Sequence, residues 1–227
     1  NITGVASANS NLTLKLDGTS INTASNTNTI SANPTIATAC THQVFLEGNN
    51  GSATIKDSFS FYIAPTVTVA SLPAGVQEGI NYAANNTSAT LVLYAPNKTS
   101  VVVIGDFNNW LSNCAYQMNK TPDGNYYWIN ITGLIPGTEY GYQYFIDDSI
   151  KVADPYAQKI LDPDNDQFIN STTYPNLKAY PTGLTTGLVS ILQSAEPQYN
   201  WQVNNFVKPD KRNLIVYELL IRDFTAE

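Results

Sequence analysis

The chain has 227 residues, long enough for one large or two small domains with a real core, and its 43% hydrophobic content is that of a globular protein. Against 11 basic residues stand 18 acidic ones, and the formal charge of −7 argues against nucleic acid and anionic membrane surfaces as partners. Only 13% of residues are charged, so the surface is built from uncharged hydrogen-bonding groups, and no apolar run reaches the roughly 20 residues of a membrane-spanning helix. Nothing at Asn1 has the form of a signal peptide, which predicts a trimmed mature chain.

From Asn1 to about Pro65, apolar residues alternate in short runs, Leu12, Leu14 and Leu16 or Phe59, Phe61 and Ile63, separated by polar turns such as Glu47 to Ser52. Period-two alternation of this kind predicts a half-exposed β-sandwich, short beside the roughly 100 residues usual for an immunoglobulin-like fold. No chemistry is visible here, and a spacer is the expected role. His42, the sole histidine, reads as a structural strand residue. Cys40 and Cys114 are the only thiols and fall on opposite sides of a boundary near Pro65, so two buried free cysteines are expected, with no disulfide and no metal pair.

After that boundary, Pro73, Gly75 and Gly79 mark turns that lead into a strand at Ala89 to Tyr94. Val101 to Ile104 form a β-branched buried strand ended by Gly105 and Asp106. Next come Asn108, Asn109 and Trp110. An aromatic face flanked by amides suits a sugar ring, whose CH groups lie on the π surface while its hydroxyls need donors and acceptors; the plainer reading has Phe107 and Trp110 filling a core. Asp123 and Gly124 signal a hairpin, followed by an alternating strand from Tyr126 to Ile131 in which Tyr127, Ile129 and Ile131 face in and Trp128 faces out. Trp128 is thus a second candidate sugar platform, or a cover for a neighbouring domain. Tyr140, Tyr142, Tyr144 and Ile146 alternate along a further strand, with the tyrosines on one inner face.

Asp162, Asp164 and Asp166 lack the Gly and distal Glu of a calcium loop and read as a polar surface turn. Residues Thr173 to Phe206, with Pro175, Pro181 and Pro197, look like an ordered linker. Leu214 to Ile221 is nearly continuously apolar, as in a strand covered on both faces. An unpaired strand of that kind would expose an edge, so it is expected to pair with another chain or fold back on a sandwich.

Ala95 to Asn97, the valine strand and Gly105 to Trp110 together resemble carbohydrate-binding module family 48, an early-set β-sandwich. Asp154, Pro155, Tyr156 and Ala157 resemble the segment that leaves this module in enzymes of the α-amylase family (glycoside hydrolase family 13). Val216, Tyr217, Glu218, Arg222, Asp223 and Phe224 are similar to the strand that opens their catalytic barrel. The candidate sugar-binding residues are Trp110, Asn108, Asn109, Trp128 and Gln143. The chain departs from the family's glycogen-binding members, which carry Lys where this chain has Gln143 and a second Trp where it has Ile150.

The expected fold class is all-β: two tandem immunoglobulin-like β-sandwiches in residues 1–65 and 66–180, then, in 181–227, a linker and the first strand of a truncated (β/α)8 barrel. The resemblance implies the non-catalytic amino-terminal part of an α-amylase-type glycoside hydrolase acting on starch or glycogen, either bracing the barrel or binding substrate. In such enzymes two carboxylates about 5 Å apart perform a retaining hydrolysis. They lie on later strands, so Glu218, Asp223 and Glu227 take no catalytic role, and the residues present are expected to be inactive. The expected partners are an α-glucan polysaccharide or oligosaccharide and the protein's own barrel. No cofactor or metal is expected, and the location is secreted or cell envelope. A stand-alone α-glucan-binding module and an adhesin-like pair of sandwiches are the alternatives.

Overall fold

The computed structural model describes residues 1–198 and 200–218, and these are all β apart from single-turn 3₁₀ helices. Residues 1–196 form one compact unit and 197–227 a second.

Four long strands open the first unit: β1 (Ile2–Leu16), β2 (Thr19–Ala32), β3 (Cys40–Asn49) and β4 (Thr54–Ile63). They form one antiparallel sheet in the order β2-β1-β3-β4. Asp17 and Gly18 both take positive φ, the two-residue turn whose twist suits a tight hairpin. This single sheet replaces the expected sandwich of residues 1–65. The pairing of β1 with β2 slips between Val5 and Ser10 and again between Ser10 and Leu12, and such bulges bend a strand. The start of β1 consequently folds over β3, where a side chain at Gly4 would meet Leu46 at 2.9 Å. Strands of 10 to 15 residues are long enough to serve two layers, so Leu12, Leu14, Ile30 and Val44 are buried inside one bent sheet.

His42 is 4% exposed and stacks on Phe61 at 5.3 Å between ring centroids. Its Nδ1 lies 2.6 Å from Asp17 Oδ2 and its Nε2 3.0 Å from the Thr38 carbonyl. Two acceptors facing two ring nitrogens favour the imidazolium. The structural reading of His42 therefore stands, with the refinement that it is a charged tie between the β1–β2 turn and β3. The hydrogen bond to Asp17, then that to Thr38, holds His42 above its ordinary pKa. The bonds from His42 and from the Gln43 amide hold Asp17 below its own. The raised histidine contributes stability in full below about pH 6.5, and that contribution is lost as pH rises through its folded value. The lowered Asp17 contributes above about pH 3.9 and loses its contribution as pH falls through its folded value. The NMR titration of His42, the only histidine, is expected to have its midpoint above 6.5, and His42→Gln should flatten the fall in Tm on the alkaline side. A midpoint at or below 6.5 would refute the charged tie.

The remaining strands of the first unit are β5 (Gly79–Tyr82), β6 (Ser88–Tyr94), β7 (Val101–Gly105), β8 (Asn119–Lys120), β9 (Tyr126–Thr132), β10 (Glu139–Ile146), β11 (Ile150–Val152), β12 (Lys159–Leu161) and β13 (Val189–Gln193). One sheet runs β5-β6-β9-β8; in the other, β10 pairs with β7 along one edge and with β13 and β11 along the other, and β12 follows β13. Leu91, Leu93, Tyr127, Ile129 and Ile131 of the first sheet meet Val101, Val103, Tyr142, Tyr144 and Leu192 of the second in a shared core. The inward faces read for the strands at Tyr126 and Tyr140 are thus upheld. The second sheet takes in β13, beyond the expected limit of 180.

Cys40 and Cys114 are joined in a disulfide, which corrects the expectation of two free thiols. The boundary at Pro65 separates the cysteines in sequence but not in space, and their Cα atoms are 5.3 Å apart. Beside the bridge, Thr41 Oγ1 donates to the Ser112 carbonyl (3.2 Å) and the Tyr62 hydroxyl to Gln117 Oε1 (3.0 Å).

In the second unit, Asp210 caps a short turn and accepts two guanidinium bonds from Arg212, which holds its carboxyl down to about 2. The strand expected at Leu214 to Ile221 is not formed by residues 214–218, where Leu214 to Tyr217 are exposed. A strand needs a hydrogen-bonded neighbour, and no ladder among the described residues includes this segment. Leu219 to Ile221, Arg222, Asp223, Phe224 and Glu227 lie outside the described residues.

Candidate functional site

The turn after β7 is built for close approach. A side chain at Gly105 would stand 2.4 Å from the Gly141 carbonyl, so only glycine fits. Asn108 locks the turn, accepting from the Gly105 amide (2.8 Å) and donating to the Val103 carbonyl (2.8 Å). Asn109 and Trp110 then take left-handed φ of 54° and 62° and turn the indole back under the sheet. Its Nε1 donates to Asp106 Oδ1 at 3.1 Å, while Asp106 Oδ2 accepts from the Gly141 amide and pairs with Lys178 at 3.0 Å.

Trp110 is 5% exposed and packs with Val102, Ile104, Val189 and Ile191 on the outer face of the β10 sheet, beneath Tyr62, Leu177 and Tyr180. The sugar platform expected at this residue is therefore a core side chain. Gln143 is fully buried, accepting from Thr185 Oγ1 (2.6 Å) and donating to the Thr186 and Leu188 carbonyls (2.9 and 2.7 Å). The whole side-chain amide is spent on fastening residues 185–188. Trp128 is half-buried on the outer face of the other sheet, its Nε1 donating to the Ala70 carbonyl at 3.0 Å. Of the five predicted residues only Asn109 is exposed, and the two tryptophans lie on opposite outer faces, so the five do not form one surface.

Asp162 and Asp166 behave as the polar turn predicted for them: Asp162 accepts from the Asp164 amide and Asn165 Nδ2, and Asp166 from the Asp162 amide.

A cleft of about 460 Å³ that the sequence reading missed opens between edge strand β5 and strands β12 and β13. Tyr82, Tyr156 and Tyr174 line it, 42%, 56% and 44% exposed. Each hydroxyl is engaged. That of Tyr156 donates to Glu78 Oε2 (2.6 Å), that of Tyr82 accepts from the Gln193 amide (2.8 Å), and that of Tyr174 accepts from Lys159 Nζ (2.9 Å). Lys159 also pairs with Glu139 at 2.6 Å and lies 4.6 Å from the Tyr174 ring centroid. Burial pulls its pKa down, but the bonds to Glu139 and Tyr174 outweigh that and hold it above its ordinary value.

The seat of Tyr156 is set from beneath. Asp154, 2% exposed, accepts from the hydroxyls of Tyr142 (2.7 Å) and Tyr144 (2.8 Å) through Oδ2 and from the Tyr156 amide (2.8 Å) through Oδ1. Burial above all, and the neighbouring carboxylate with it, pushes both phenols well above their ordinary pKa, so both stay protonated and donate. Gly79, at φ 87°, lies under Tyr156 so closely that a side chain there would meet its Cβ at 2.4 Å. The only sequence signal for this site was Asp154 to Ala157, and it marked a segment rather than a surface.

Residues 78–157 match the family model described as carbohydrate-binding module 48 (isoamylase N-terminal domain). A stretch of 67 residues is 40% identical to the 1,4-alpha-glucan branching enzyme of Butyrivibrio fibrisolvens, covering 29% of this chain and 10% of that enzyme. Among solved structures, a pullulanase of Klebsiella pneumoniae complexed with maltotriose aligns over 53% of this chain and 12% of its own, at 15% identity and a TM-score of 0.28. The chain thus spans about a tenth of the length of either relative. Both stretches whose resemblance was read from the sequence, Ala95 to Trp110 and Asp154 to Ala157, fall within the residues that match this family model.

Proposed function

We propose that the chain is the non-catalytic amino-terminal part of an α-amylase-type enzyme acting on α-glucans, which braces the barrel and holds glucan near it. The family match over residues 78–157, on a segment that folds as two facing sheets, is the observation that carries this reading. The bent sheet of residues 2–63 is a spacer in it, and the catalytic carboxylates belong to later strands of the barrel. A cross-link between Cys40 and Cys114 supports a secreted or envelope location, because disulfides persist in oxidising compartments.

Native electrophoresis through gels containing soluble amylopectin, dextran or a β-glucan tests the binding part of this reading. Retardation by amylopectin alone is expected, and equal mobility in every gel would defeat it. Because Trp110 is enclosed, Trp110→Phe should be retarded as strongly as the unaltered chain while its Tm falls by a few degrees, owing to the lost Asp106 bond and the smaller ring. Loss of retardation with unchanged Tm would restore Trp110 as a sugar platform.

A further inference from the structure

We propose that the tyrosine-lined cleft between β5 and the β12–β13 edge binds a neutral oligosaccharide, with sugar faces stacked on Tyr82, Tyr156 and Tyr174 and sugar hydroxyls bonded to Glu78 and Gln193. The identity of that sugar as an α-glucan rests on the function proposed above; the cleft itself is argued from its own chemistry. Exposed tyrosine rings are ordinarily mobile, but here each is held at its hydroxyl, so three ring faces are fixed before any ligand arrives. Preorganisation of this kind lowers the entropic cost of binding. The tyrosines offer π faces to ring CH groups, as suits a ligand apolar on its faces and polar on its edges.

Charge narrows the ligand class. Of the acids lining the cleft, Glu139 is neutralised by Lys159, which leaves Glu78 and Glu196 in excess. That balance disfavours phosphates and acidic sugars and suits neutral hydroxyls, which donate to carboxylate oxygens. A volume of about 460 Å³ lies within the range of small-ligand sites. The cleft shares no residue with Trp110, Trp128 or Gln143. It lies where the two sheet edges meet, beside the segment that carries Asp154 to Ala157.

The test is an NMR titration of the isotope-labelled chain with maltoheptaose, and in parallel with cellohexaose and mannohexaose, alongside Tyr156→Ala and Glu78→Gln. Amide shifts are expected to cluster at Glu78, Tyr82, Tyr156, Lys159 and Gln193, and Tyr156→Ala to raise Kd at least tenfold. Glu78→Gln keeps the side-chain volume and should raise Kd severalfold with Tm nearly unchanged, which separates binding from folding. Maltoheptaose binding with shifts elsewhere, or unaltered affinity in both variants, overturns the cleft and leaves the α-glucan reading intact. Binding of a β-linked oligomer alone in the cleft upholds the site and defeats the α-glucan reading, and silence toward all three sugars overturns the site.

Discussion

Replacing Cys40 and Cys114 together by serine is expected to lower the free energy of unfolding by about 4 kcal/mol, the loss that loop-closure entropy assigns to a bridge spanning 74 residues. A cross-link acts mainly on the unfolded chain, whose freedom it restricts more the longer the loop it closes. In the folded chain it joins the start of β3 to the turn that follows Trp110, so it also ties the bent sheet to the module. Without it, that connection rests on Tyr62 packed over the Trp110 cluster and on hydrogen bonds such as Thr41 to Ser112 and Tyr62 to Gln117, each contributing about 1 kcal/mol. Urea unfolding with and without reductant measures the effect. Reduced unaltered protein and the double serine variant should coincide, with Tm lower by roughly 10 °C. A second transition is expected in both as the bent sheet melts separately. A loss under about 1 kcal/mol would show that the bridge constrains little.

The same juxtaposition shows where sequence reading succeeds and where it stops. The strands at Ser88–Tyr94, Tyr126–Thr132 and Glu139–Ile146 were legible because alternation is a local property and each has one face turned to a single core. The turn at Gly105 was legible for the same reason. Trp110 was not, because what covers it comes from Tyr62, Leu177 and Tyr180, residues no local window contains. Its chemistry admits both a sugar platform and a core side chain, and only distant partners decide between them. The bent sheet was missed because bulges at Val5 and Ser10 leave no periodic trace, so length argued for a curtailed sandwich when long strands fold over instead. The cleft is assembled from β5, β12 and β13 and from the loops that carry Tyr156 and Tyr174; only Tyr156 falls in a segment the sequence singled out, and that segment marked no surface.

Asp154→Ala is expected to cost about 3–4 kcal/mol, since it strips the acceptor from two enclosed phenols at once and leaving a buried donor unpaired costs about 1–3 kcal/mol. Tyr142 and Tyr144 are fully buried in the core between the sheets, where an unpaired hydroxyl is costly. Asp154→Asn should cost less, about 1–2 kcal/mol, because its amide oxygen still accepts from both hydroxyls while its NH₂ opposes the Tyr156 amide. A double-mutant cycle by urea unfolding isolates the cause. Tyr142→Phe alone should destabilise, but in the Asp154→Ala background it should be neutral or stabilising, because the hydroxyl it removes has lost its partner. Equal costs in both backgrounds would mean that packing, and not the carboxylate, holds this layer. The network also reaches the surface: Asp154 fixes the Tyr156 amide, and Tyr156 is one wall of the cleft. Asp154→Asn should therefore weaken oligosaccharide binding even where the fold survives, and an unchanged Kd in a folded Asp154→Asn chain would sever the core from the site.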